Sequence, residues 1–168
     1  HVHHFYFSKT LVVLEYILSE CDSKEVKFWI NSQLINISKL NRFRPGISFP
    51  YNPLSGTLYI GSQISEANVF VALENKLNKL SNAFNLLDAD NVSSIESATC
   101  SNLPNNSIDY IFTDPPFGAN ISYSELNFIQ ESWLKVKTNN KEEAIVNESL
   151  QKTRDTYQSL MTKSLMEY

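Results

Sequence analysis

Apolar residues return at helical spacing over several stretches of the chain, and a residue able to cap a helix stands ahead of most of them. Ser8 precedes a run in which Leu11, Leu14, Ile17 and Leu18 share one face. Asp22 with Glu25 three residues later has the form of a capping box. It opens a second helix through Val26, Trp29, Ile30, Leu34 and Ile37, which Pro45-Gly46 ends. Ser65 starts a longer helix with Val69, Leu73, Leu77, Leu80 and Phe84 inward. Ser122 and Glu125 repeat the capping-box spacing ahead of Leu126, Ile129, Trp133 and Leu134, and the tail from Lys141 reads as helical through Leu150, Tyr157, Leu160, Met161 and Leu165.

Strand character is confined to shorter runs. Thr57-Leu58-Tyr59-Ile60 is one, the β-branched stretch from Val92 to Thr99 a second, and Ile108 to Thr113 a third, set off by the turn-like Leu103-Pro104-Asn105-Asn106-Ser107. Residues 46–55, with Pro50 and Pro53, read as an irregular connection because they are apolar as well as proline-rich. The pattern predicts one α/β domain over residues 1–168, mainly helical over 1–56 and α/β over 57–168.

The chemistry concentrates at Asp114-Pro115-Pro116-Phe117, directly after the third strand-like run. An acidic or amide residue, two prolines and an aromatic should coincide by chance at roughly one position in tens of thousands, given proline at about 5% of residues. The arrangement suits an exocyclic amine, a poor nucleophile because its lone pair is delocalised into the ring. A carboxylate accepting one N–H and a backbone carbonyl accepting the other localise that lone pair. The Asp114 carboxylate and the Pro115 carbonyl are the candidates. Proline fixes its own φ and biases the preceding residue toward extended backbone, so the pair is held stiffly. Phe117 offers a flat face, and stacking a base on an aromatic is worth about 1–3 kcal/mol.

These residues resemble the D/N-P-P-Y/F motif of amino-methyltransferases that use S-adenosylmethionine, and Gly118-Ala119-Asn120 continues the likeness. Tyr123-Ser124-Glu125-Leu126 and Trp133-Leu134 look like the segment after the motif in large bacterial adenine-specific DNA methylases. His4-Phe5-Tyr6, Ser38-Lys39 with Arg42 and Arg44, and Gly56 to Ile60 with Glu66 and Asn68 are similar to the stretch before it. The resemblance implies a Rossmann-like fold carrying a helical insertion, S-adenosylmethionine as donor, and a DNA base as acceptor, most often adenine at N6. RNA and protein-glutamine amino-methyltransferases use a similar loop. The family's donor site needs a glycine-rich turn, whereas this chain has four glycines, at 46, 56, 61 and 118, and no cluster. That departure leaves open a non-catalytic interaction module, and it implies that the chain is a fragment whose partners are DNA and the remainder of the methyltransferase polypeptide. The start at His1 and the scarcity of methionine, only Met161 and Met166, point the same way, although removal of a leader would also explain the start.

Composition narrows this further. The net charge of −4 is not the footprint of a chain that grips nucleic acid unaided. Lys39, Arg42 and Arg44 form the one local exception, as phosphate contacts or as a solvated helix end. Tyr123 is a candidate for substrate stacking or for simple packing. Cys21 and Cys100 form no CxxC and read as buried thiols, and the histidines at 1, 3 and 4 find no cysteine pair to complete a metal site. No apolar stretch approaches the roughly 20 residues that cross a bilayer, so a cytoplasmic protein with no membrane contact is expected.

Overall fold

The structure is a computed structural model that describes residues 1–43, 45–46, 58–85, 91–119 and 121–168. It resolves into two compact units, His1–Asp88 with Tyr123–Thr138, and Ala89–Ser122 with Asn139–Tyr168. The division expected at residues 56/57, most of the proline-rich connection, Arg44 and Asn120 lie outside the described residues.

The first unit is helical. A 3-10 turn over Val2–Phe5 leads into α1 (Ser8–Glu20), which begins one residue earlier than a Ser8 cap implies, with Phe7 at the N-cap. In α2 (Lys24–Asn31) the cap is Ser23, not Asp22. Its hydroxyl accepts from the Val26 amide at 3.1 Å. Glu25 folds back onto its own amide and the Ser23 hydroxyl, which holds its carboxyl below the usual range, while Asp22 pairs with Lys27 instead. The helix stops at Asn31, well short of Pro45, and continues as turns. In α3 (Val69–Phe84) the Asn68 side chain accepts from the amides of Phe70 and Val71, taking the capping role expected of Ser65. The short α4 (Tyr123–Leu126) and α5 (Phe128–Leu134) complete the unit, and the Ser122 hydroxyl, expected to cap there, is buried without a partner among the described residues.

These helices surround a core of Tyr6, Leu14, Ile30, Leu34, Ile37, Leu40, Val69, Leu73 and Ile129. Apolar burial of this kind stabilises by about 1.5–3 kcal/mol for each large side chain. Polar ties fix its geometry. The Tyr6 hydroxyl donates to the Leu34 carbonyl at 2.9 Å, with Trp133 edge-on to the Tyr6 ring, and the Trp29 indole donates to the Leu73 carbonyl at 2.8 Å. Burial pushes the Tyr6 phenol well above its ordinary pKa. Only the start of α3 enters this core: Val69 and Leu73 are buried, whereas Leu77 and Phe84, expected inward, are exposed.

The second unit holds α6 (Arg154–Glu167), opened by Thr153, whose hydroxyl accepts from the Thr156 amide at 3.2 Å. The tail is therefore helical from Arg154 and not from Lys141. Residues 141–153 instead form a looped segment: Asn147 and Lys152 exchange two backbone hydrogen bonds at 2.9 Å, and the Lys152 ammonium donates to the carbonyls of Lys141 and Glu143.

A Rossmann-like α/β sheet is not what the described residues form. They are mostly helical, and their β-structure consists of isolated bridges between Arg42 and Ile64, Ser97 and Cys100, Gly118 and Ile145, and Asn147 and Lys152. The three expected strands are absent among the described residues. Ile108 to Thr113 shows why, with Tyr110 80% and Phe112 85% exposed: the run has the residues of a strand but no neighbour to ladder with among the described residues. Neither cysteine is buried as expected; Cys21 is half-buried, Cys100 is exposed, and both are free thiols. No helix among the described residues is long and apolar enough to cross a membrane.

Candidate functional site

Asp114-Pro115-Pro116-Phe117 lies in the second unit as an exposed loop. Its prolines lack N–H donors and carry fixed φ, so the segment cannot collapse into local hydrogen bonding. Its end is held from two sides. The Tyr157 hydroxyl, from α6, donates to the Pro116 carbonyl at 2.8 Å, and the Val146 amide donates to the Gly118 carbonyl at 3.3 Å. Gly118 is buried at φ +72, a left-handed conformation that side chains rarely adopt. A Cβ there would meet the Tyr157 ring at 4.0 Å, an ordinary contact. Backbone strain and not space is what calls for glycine.

This anchoring leaves the chemical groups of the loop outward. The Asp114 carboxylate and the Pro115 carbonyl have no hydrogen-bond partner among the described residues, and the Phe117 ring is 58% exposed. A groove of about 310 Å³ runs along Asp114, Pro115 and Pro116, with Met161, Leu165 and Tyr168 of α6 and its end opposite. A second, of about 360 Å³, lies beside Phe117, Gly118 and Ala119 and is completed by Val146, Arg154, Tyr157 and Gln158. Arg154, Tyr157 and Gln158, at i, i+3 and i+4, occupy one face of α6.

The remaining sequence candidates belong to the first unit. Lys39 sits with its ammonium 5.4 Å from the centre of the Phe7 ring, a cation–π contact. Arg42 is half-buried, its stem against Gly61 and its Nε buried without a hydrogen-bond partner among the described residues. Arg44 lies outside the described residues, so the three cations are not displayed together. Tyr123 opens α4 and is 37% exposed.

Tyr157, Arg154 and Gln158 escaped the reading of the sequence. Tyr157 registered only as an apolar position of the tail helix, and nothing in a linear pattern ties it to a loop forty-one residues away. The i, i+3, i+4 spacing of a cation, a phenol and an amide was the available signal.

The described glycines do not fit a cradle for S-adenosylmethionine. Gly46 faces open space, Gly61 lies against Arg42, Gly118 lies against Tyr157, and Gly56 is outside the description. Among the described residues no group of His, Cys, Asp and Glu is placed to hold a metal ion. Comparison with protein-family models, curated proteins and solved structures finds no match to this chain.

Proposed function

We propose that this chain is the acceptor-binding part of a DNA amino-methyltransferase, one that transfers a methyl group to an exocyclic amine, with adenine N6 as the preferred target. The observation that carries the reading is the Asp114–Phe117 loop, clamped at Pro116 by Tyr157 while the Asp114 carboxylate has no partner among the described residues and the Phe117 ring is exposed. In this reading Asp114 accepts one N–H of the target amine, the Pro115 carbonyl accepts the other, and Phe117 stacks on the base. Tyr157 occupies the neighbouring Pro116 carbonyl, which keeps it from competing for the amine. S-adenosylmethionine would supply the methyl group, and since the described residues offer it no cradle, the role assigned to this chain is the handling of the acceptor.

A second reading, a non-catalytic interaction module, draws on the absence of both a glycine cradle and a sheet among the described residues. The two part on one measurement. Methyl transfer from labelled S-adenosylmethionine to unmethylated DNA is assayed with the natural gene product and with its Asp114→Ala variant. A fall of about 10²–10³ in rate with donor affinity retained is expected. A variant within about threefold of wild type sinks the assignment of Asp114. Transfer to RNA or to a protein glutamine in place of DNA relocates the acceptor, and no transfer to any of them favours the module.

A further inference from the structure

The groove beside Phe117 joins three kinds of chemistry. One wall is the exposed Phe117 ring. Another belongs to Arg154, an exposed residue whose guanidinium has no carboxylate or other partner among the described residues, so its charge is available to a ligand. Asp155 follows it directly but is turned by about 100° around the helix. The third is the Gln158 side-chain amide, which carries both a donor and an acceptor. Tyr157, between them on the same face, is already committed to the Pro116 carbonyl. An aromatic face, a planar cation that matches phosphate in a two-pronged geometry, and an amide that complements a purine edge together describe a phosphorylated base.

Size and charge restrict what can enter. About 360 Å³ is at the lower end of the roughly 300–1,000 Å³ of small-molecule sites, room for one nucleotide and not for a longer stretch. The net charge of −4 likewise opposes an extended phosphate track, which needs many cations, but not a single phosphate met by a single arginine.

We propose that this groove holds one nucleotide of the acceptor strand, with the phosphate on Arg154, the base against Phe117 and its edge toward Gln158. The proposal rests on the reading of Phe117 as the base-facing ring, and it assigns α6 a substrate-binding role beyond support of the loop.

Binding separates this from catalysis. The 168-residue chain is titrated with adenosine 5′-monophosphate, adenosine and inorganic phosphate at up to millimolar concentration, with calorimetry for affinity and the Phe117 and Tyr157 ring resonances for location. The nucleotide is expected to bind about tenfold more tightly than adenosine, as a charged hydrogen-bonded pair contributes, and to shift both rings. Arg154→Ala should erase that preference, and Arg154→Lys should restore part of it by keeping the charge. Phe117→Ala should weaken nucleotide and nucleoside alike, and Gln158→Ala should narrow the margin of adenosine over uridine monophosphate. Arg154 and Gln158 are exposed, so melting temperatures of their variants should match wild type. No nucleotide binding, a preference unchanged in Arg154→Ala, or tighter binding of a phosphotyrosine peptide overturns the proposal. If the nucleotide binds as described while the natural gene product methylates nothing, the groove stands and the methyltransferase reading falls.

Discussion

The two units are stabilised in different ways. Of the ten hydrophobic residues that are buried among the described residues, nine belong to the first unit and only Ile145 to the second. The first is held by apolar burial, with Tyr6 and Trp29 donating their polar atoms to backbone carbonyls across helices. The second relies on hydrogen bonds between distant points of its chain: Tyr157 to Pro116, Val146 to Gly118, and the Ser101 amide and hydroxyl to the Glu167 carboxylate at 2.7 and 3.0 Å. Net hydrogen-bond contributions of about 0.5–1.5 kcal/mol are smaller than those of buried large side chains. The unit that carries the candidate chemistry is therefore the one with less to hold it, which agrees with the general placement of ligand-binding segments at the low-stability end of a protein.

The contrast can be broken most directly at the core. Leu14 and Ile129 are wholly buried, so Leu14→Ala or Ile129→Ala should cost about 2–5 kcal/mol in urea unfolding followed by circular dichroism. Met161→Ala, on the half-buried face of α6, should cost about 1 kcal/mol or less. Equal losses in the two units would end the comparison.

A middle-sized effect comes from Tyr6. Its phenol pKa is raised by burial in the folded chain, so on unfolding it reverts to an ordinary value of about 10. Above that pH the unfolded form loses a proton that the folded form retains. The stabilisation is complete below the unfolded pKa and declines as pH rises toward the folded one. Tyr6→Phe should abolish this decline and cost about 1–3 kcal/mol at neutral pH by leaving the buried Leu34 carbonyl unpaired. An unchanged alkaline slope would show that another group causes it.

The smallest expected effect sharpens the view of the second unit. Tyr157→Phe removes one hydrogen bond and keeps the ring, for a loss of about 0.5–1.5 kcal/mol. Hydrogen exchange should place the change at Gly118, Ala119 and their surroundings, with the core of the first unit unaffected. A uniform change across both units would argue that the bond does more than hold the loop.

Legibility in the sequence follows the same division. Helices α1, α2, α3 and α5 follow the apolar periodicity, and α2 and α3 are capped by a side chain as well; these are properties of short windows. The caps shift locally, to Ser23 from Asp22 and to Asn68 from Ser65, each bonding the amides two or three residues beyond it, while no side chain caps α1. The strand-like runs failed for a non-local reason. Val92 and Ile95 are fully exposed, as are most of Tyr110 and Phe112, so β-character in the residues met no second run to pair with among those described. Within residues 141–153 the helix is limited to one 3-10 turn, Glu148–Leu150, which the Asn147 side chain caps and the left-handed Gln151 ends. At the candidate site the loop itself was legible, because its residue types carry the chemistry. Its partners on α6 were not, because a contact between positions 116 and 157 exists only once the chain has folded.

Both tryptophans of the chain, Trp29 and Trp133, reside in the first unit. Intrinsic indole emission is consequently a gauge of one half of the molecule. A heating curve read at those wavelengths will register the loss of the Tyr6 core and stay silent while the loop and α6 come apart. Placing an indole at Phe117, a flat ring for a flat ring, would give the silent half its own signal.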